Sequence, residues 1–161
     1  MVARVGAAVA DSTVISNSAS VSSSTSDPNP GNESGTATTT VKQPLLVISQ
    51  VYGAGGNVGA TYTNDFIEIF NRGTTTVNFA ATNYSIQYIG ATGTFGGATA
   101  SVKFDLTSGS IAPGQYFLVQ LAGGANGIAL PTPDATGSII MAAGAGKVAL
   151  VKGTGALTAV T

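Results

Sequence analysis

Short apolar runs rich in β-branched residues recur along the chain, separated by clusters of Gly, Pro, Asn and Ser. In Asp65-Phe66-Ile67-Glu68-Ile69-Phe70, Glu68 separates Ile67 from Ile69. That period of two marks a half-buried strand. No window carries apolar residues at helical spacing between capping residues, so the pattern predicts an all-β domain, a sandwich or a barrel. From Leu45 onward, strands are expected at about 45–52, 65–71, 75–79, 84–89, 101–107, 115–121, 137–141 and 146–151. Pro113-Gly114 suits a type II turn, with Pro fixing the first φ and Gly taking the positive one. Both faces of the strand that follows, Tyr116 to Leu121, carry apolar residues, which places it centrally in a sheet. The expected core is Val47, Val51, Ile67, Ile69, Val77, Phe79, Tyr84, Ile86, Phe104, Leu106, Phe117, Val119, Ile139, Val148 and Leu150.

Between the first two of these strands lies Gly53-Ala54-Gly55-Gly56-Asn57-Val58-Gly59. A strand followed by a glycine loop invites a phosphate-binding reading, but such a loop must open a helix whose N-terminal N–H groups hold the anion. Here another strand follows, and no Lys-Ser or Lys-Thr pair is present. The loop therefore reads as a hairpin connection whose glycines supply positive φ.

Residues 1–41 differ in character. Short strands are expected at Val2 to Val5, Thr13 to Ser23 and Thr36 to Val41. Asp27-Pro28-Asn29-Pro30-Gly31-Asn32 forms a turn between the last two, since neither proline has an N–H to donate. Three strands with so few large apolar side chains make no core of their own. Met1 to Ser12 imitates a signal peptide, but its apolar stretch is too short and too rich in Gly and Ala. Residues 42–44 read as a linker. The larger segment has enough chain to bury about two-thirds of its unfolded surface, so 45–156 is expected to fold without the first segment. Limited proteolysis is expected to cut first between Ser23 and Pro44.

Composition narrows the chemistry. Charged residues are 8% of the chain, and its net charge is −1. Without a basic stripe, neither nucleic acid nor an anionic membrane surface is an expected partner. No apolar run approaches the ~20 residues of a membrane span. There is no His and no Cys. That removes imidazole bases, thiol nucleophiles, disulfides and zinc sites built on either residue.

Two resemblances emerge from these residues. LVISQVYGAGGNVGATYTNDFIEIFNRG, NYSIQY, SIAPGQYFLVQ, LPTPDATG and GKVALVKG, at their spacing over 45 to about 156, resemble the lamin-tail domain in its bacterial secreted form. The resemblance implies an immunoglobulin-like β-sandwich. Position 84 is Tyr where the family commonly has Trp. The resemblance also implies that the lamin-tail-like domain, 45–161, is truncated at its C-terminus, before the final strand of many bacterial members; an incomplete last strand leaves a partly unpaired edge. TVISNSASVSSSTSDPNPGNESGTATTTV resembles the last strands of a bacterial surface repeat, the "domain of unknown function eleven" type. It implies that 1–41 is the C-terminal remnant of such a repeat.

Candidate chemistry is sparse. Asp65 and Glu68 lie three apart on a strand and point to opposite faces, so they cannot act as an acid–base pair on one atom. Asp65 is expected to cap the hairpin and Glu68 to face solvent or a neighbouring strand. Asp27, Asn29, Asn32 and Glu33 offer oxygens for calcium, but their spacing fits Asx-turn chemistry better than a calcium loop. Asn32-Glu33-Ser34 and Asn83-Tyr84-Ser85 are formal glycosylation sequons, the second expected to be buried with Tyr84. Tyr52, Tyr62, Tyr84, Tyr88 and Tyr116 are read as lying on separate strands and, with no Trp beside them, as core or edge packing more than as a ligand platform. Asn126, Thr132 and Asp134 lie on loops, where sandwiches carry recognition.

No catalytic, cofactor-binding or metal residue is assigned, and no cofactor is expected. The expected function is a non-enzymatic extracellular or cell-surface module, a spacer, adhesion or protein-binding domain. Its expected partners are other domains of a parent protein or other surface proteins. The alternative is an accessory domain of a secreted nuclease- or phosphatase-type hydrolase whose catalytic domain lies outside this chain. Self-association is a third route, by N-terminal strands pairing with an open strand edge.

Overall fold

The computed structural model describes residues 9–29, 31–96, 99 and 102–158. The strand expected at Val2 to Val5 lies outside them. The chain divides into two compact units, Met1–Pro44 and Leu45–Thr161.

The first unit is an antiparallel hairpin of β1 (Val14–Ser20) and β2 (Ser34–Thr40), in register from Val14 opposite Thr40 to Ser20 opposite Ser34. All fourteen positions are exposed, seven on each strand. A solitary two-stranded hairpin is marginal in water, so local bonds matter. The Asn29 N–H donates to Oδ1 of Asp27 at 2.8 Å, the expected Asx turn, and Oε2 of Glu33 accepts the Gly31 N–H. Gln43, read as linker, is tied to the base of the hairpin. Its N–H donates to Oδ1 of Asp11, and its side-chain amide donates to the Val9 carbonyl.

The second unit is the expected two-layer β-sandwich. Its strands are β3 (Leu46–Tyr52), β4 (Asn64–Asn71), β5 (Val77–Asn78), β6 (Tyr84–Gly90), β7 (Lys103–Leu106), β8 (Ser110–Ile111), β9 (Tyr116–Gly123), β10 (Ala135–Thr136) and β11 (Gly146–Lys152). One sheet has the order β10-β9-β4-β3 and the other β11-β6-β7, with β5 and β8 as a short separate pair. All pairings are antiparallel except β10 on β9. The inward alternation of each sheet supplies the core: Ile67 and Ile69 from β4, Phe117, Val119 and Leu121 from β9, Ile86 and Tyr88 from β6, and Leu106 from β7. Phe79 bridges the layers, its ring edge-on to Phe117 at 5.1 Å and to Tyr84 at 5.9 Å. Complete burial of an Ile or Phe side chain contributes roughly 1.5–3 kcal/mol relative to leaving it exposed.

Four expectations need correction. Val51 lies opposite Ile67 in register but is 49% exposed. β3 is an edge strand, and beyond it Val51, Tyr88, Met141 and Val148 line a recess of about 70 Å³ instead of closing on one another. Residues 137–141 are not a strand; strand structure ends at Thr136. A side chain at Gly137 would press into the Phe104 ring, and Asp65, not a strand neighbour, takes the Met141 N–H. Ile139 and Met141 are nevertheless buried. The strand expected at 75–79 contracts to Val77–Asn78 and pairs with Ser110–Ile111, a strand the pattern did not separate from its neighbours. Leu46, Phe66, Tyr88, Ile111, Leu121 and Met141 are buried beyond the expected core, whereas Val47, Tyr84, Phe104, Val148 and Leu150 are half-buried.

Candidate functional site

At one end of the sandwich, the glycine-rich connection between β3 and β4 is stitched to the loop after β9. The Asn126 N–H and its side-chain amide both donate to the Gly56 carbonyl, at 3.2 and 3.0 Å. Ile128 N–H donates to the Thr61 carbonyl, Thr63 N–H to the Ile128 carbonyl and Gly124 N–H to the Thr63 carbonyl. Asn64 adds its side-chain amide to the Leu121 carbonyl at 2.9 Å. Glycine is needed where these backbones meet. Gly56 has φ +76°, and a Cβ there would overlap the backbone of Gly124. The hairpin reading of the loop holds, and its glycines do supply positive φ at Gly56 and Gly59.

The aromatic residues divide by role. Tyr52 stacks on Phe66 at 5.4 Å with Tyr62 edge-on to both, so two of the five tyrosines gather on the outer face of the four-stranded sheet. The polar end of Tyr52 is in use, because its hydroxyl accepts the Thr61 N–H at 2.9 Å and fixes the loop to the sheet. Tyr116 packs on Phe70, Tyr84 on Phe79, and the Tyr88 hydroxyl accepts the Ala142 N–H. Two large apolar side chains stand outside at the stitched end, Val58 at 95% exposed and Ile128 at 65%, beside the exposed polar Asn57, Thr61 and Asn126.

The candidate polar residues are held by backbone groups. Asp65 is buried on the core face, where its two oxygens accept the Gly55 and Met141 N–H groups at 2.7 and 2.8 Å. Glu68 lies on the opposite face and accepts the Ser49 hydroxyl, so the two carboxylates do not converge. Asp134 binds β9 twice, through its own N–H to the Leu118 carbonyl and through Oδ2 from the Leu118 N–H. Thr132 is exposed. A recess of about 520 Å³ by the hairpin turn is lined by Ser22 to Ser26, Asp27 and Glu33, whose carboxylates accept turn N–H groups. Among the described residues, no group of three His, Cys, Asp or Glu is placed to hold a metal ion. Asn83 of the second sequon is exposed, contrary to expectation, while its Ser85 is fully buried.

Sequence reasoning missed Ser85, Gln87 and Asn71, all buried polar residues. Asn71 donates to the Thr75 and Ile111 carbonyls and accepts the Gly73 N–H, holding two turns to the end of β4. Ser85 and Gln87 occupy the outward positions of β6, which alternation reads as solvent-facing. The Gln87 amide donates to the Gly155 carbonyl at 2.7 Å, and its oxygen accepts the Leu157 N–H at 2.8 Å. The segment after β11 thus lies against the outer face of the three-stranded sheet. The one signal in the sequence was that these outward positions are uncharged.

Neither a curated protein nor a solved structure matches the chain. The lamin tail domain model matches residues 39–161, which take in the whole sandwich, its stitched loops and the segment after β11, so the chain belongs to the lamin tail domain family.

Proposed function

We propose that the chain is a non-enzymatic module of an extracellular or cell-surface protein, a spacer that also binds other domains of its parent or other surface proteins. The observation that carries this reading is the stitched loop end, where cross-loop backbone hydrogen bonds hold Val58 and Ile128 outward on a fixed frame. Loops positioned by a rigid scaffold are where sandwiches bind, and a pre-ordered loop loses little entropy on contact. The use of Asp65, Asp134 and Glu68 as backbone or hydroxyl acceptors supports a structural role for the carboxylates. A further route to assembly is strand addition at β3, an edge of the four-stranded sheet.

Two measurements test the proposal. Purified chain incubated with phosphomonoesters and phosphodiesters, with magnesium or calcium, is expected to give no turnover; hydrolysis that disappears in Asp65→Asn would overturn the non-enzymatic reading. Immobilised chain is expected to retain cell-surface proteins that a folded Val58→Asp/Ile128→Asp variant does not. Equal retention by both would remove the loop end as the contact.

A further inference from the structure

We infer that the outer face of the β11-β6-β7 sheet is a groove for an extended peptide, and that its occupant in trans is the same segment, Gly153 to Leu157, of a second copy. The groove floor is built from the outward side chains of β6. Ser85 and Gln87 are fully buried there, flanked in register by Val151 and Ala149 on β11 and by Asp105 and Lys103 on β7. The Gln87 side-chain amide contacts the carbonyl of one residue and the N–H of the residue two further on, Gly155 and Leu157. This is the pair of groups that a neighbouring parallel strand would engage around Ala156. The second hydrogen of the amide goes to the Ser85 hydroxyl at 3.0 Å, so Gln87 is held by its floor and aimed at the segment.

Exchange requires the segment to give up few hydrogen bonds to the described residues. Among the described residues, its backbone bonds are the two to Gln87 and one from the Gly153 N–H to the Asn83 carbonyl. It follows β11 through Gly153, at φ +105°, the position at which an exchanging segment would turn away from its own copy. A second copy offers the identical sequence to a groove already shaped for it, which is the low-cost condition for exchange between protomers. Because the attached segment competes at an effective concentration of about the millimolar range, exchange in the unaltered chain becomes appreciable only at comparable local concentrations.

Complementary variants test this in the full chain. Gln87→Ala spoils the groove but keeps the segment. Leu157→Pro keeps the groove but removes the N–H that Gln87 accepts. Each alone, folded by circular dichroism, is expected to be monomeric by light scattering. Mixed in equal amounts they are expected to form a heterodimer, with the intact segment of one copy in the intact groove of the other. Absence of heterodimer up to millimolar concentration overturns the inference. So does a dimer of either variant alone, which would point to association at a strand edge. Should Gln87→Ala fail to fold, a synthetic peptide Lys-Gly-Thr-Gly-Ala-Leu-Thr offered to the Leu157→Pro chain is the second measurement. Binding there, weakened about tenfold by Gln87→Asn, supports the groove, and no binding overturns it. None of these outcomes depends on Val58 or Ile128.

Discussion

The Met141 N–H donates to Oδ2 of Asp65 across 76 residues of sequence, at 2.8 Å and in a buried setting, while Oδ1 of the same carboxylate accepts the Gly55 N–H. One side chain thereby joins the start of β4, the glycine loop and the irregular run after β10. Asp65→Asn keeps the size but turns one acceptor into a donor, leaving a buried N–H facing an NH2 group. The expected loss is about 1–3 kcal/mol. Chemical denaturation of the variant checks this, and an unchanged midpoint would show that the carboxylate does not carry the junction.

Gly56 and Gly59 separate two reasons for glycine in one loop. Both have positive φ, but a Cβ at Gly56 would overlap Gly124, whereas nothing lies within 4 Å of one at Gly59. Gly59→Ala is expected to cost about 1–2 kcal/mol, from backbone conformation alone. Gly56→Ala is expected to cost more and to raise hydrogen exchange at Asn126 and Ile128, because the loops must part. Equal destabilisation by the two substitutions would contradict this account.

The contrast between Val51 and Ile67 bears on what the chain discloses in advance. Strict alternation along β3 puts Val47 and Val51 on one face. The ladder to β4 slips at Ser49, between Ile48 opposite Ile69 and Gln50 opposite Glu68, so Leu46, Ile48 and Val51 share the core side. Ser49 makes its hydrogen bonds to the Glu68 carbonyl and carboxylate, a partnership that hydrophobic pattern does not encode. β4 and β9 were legible because each is paired along both edges and sends alternate apolar residues into the core. The short extent of β5, its pairing with β8 and the irregular 137–141 run were not, because they follow from Phe104, Asp65 and Asn71 reaching across the fold. Gln87 was hidden for a similar reason: the segment that covers it is irregular. Ile67→Ala is expected to cost about 2–5 kcal/mol, and Val51→Ala about 1 kcal/mol or less, given its exposure. Thermal unfolding of the two variants checks the order, and the reverse order would restore Val51 to the core.

The hairpin unit carries a pH dependence at its base. The Gln43 N–H, then the Ser12 hydroxyl, hold the Asp11 carboxyl below its ordinary value of 3.8. A carboxylate with a lowered folded pKa contributes stability above its unfolded pKa and loses it as pH falls through the folded one. Acidification below 3.8 is therefore expected to loosen Gln43 from Asp11. NMR titration of the Gln43 N–H is expected to report the transition, and Asp11→Asn to abolish it. A Gln43 resonance indifferent to acid would contradict the assignment.

Tyr52 separates packing from ligand binding on the outer sheet face. Its ring stacks on Phe66, while its hydroxyl accepts the Thr61 N–H at 2.9 Å and the Tyr62 N–H at 3.4 Å. Tyr52→Phe keeps the stacking and deletes the acceptor, and a hydrogen bond of this kind contributes about 0.5–1.5 kcal/mol net. Faster hydrogen exchange at Thr61 and Tyr62 is expected, with Asn126 slower to respond because Gly56 holds it independently. Tyr52→Ala removes the ring as well, so a larger loss is expected together with a more mobile Tyr62. Were the face a ligand platform, the hydroxyl would be free for solutes and Tyr52→Phe would leave loop exchange unchanged. That result would return Tyr52 and Tyr62 to the recognition surface.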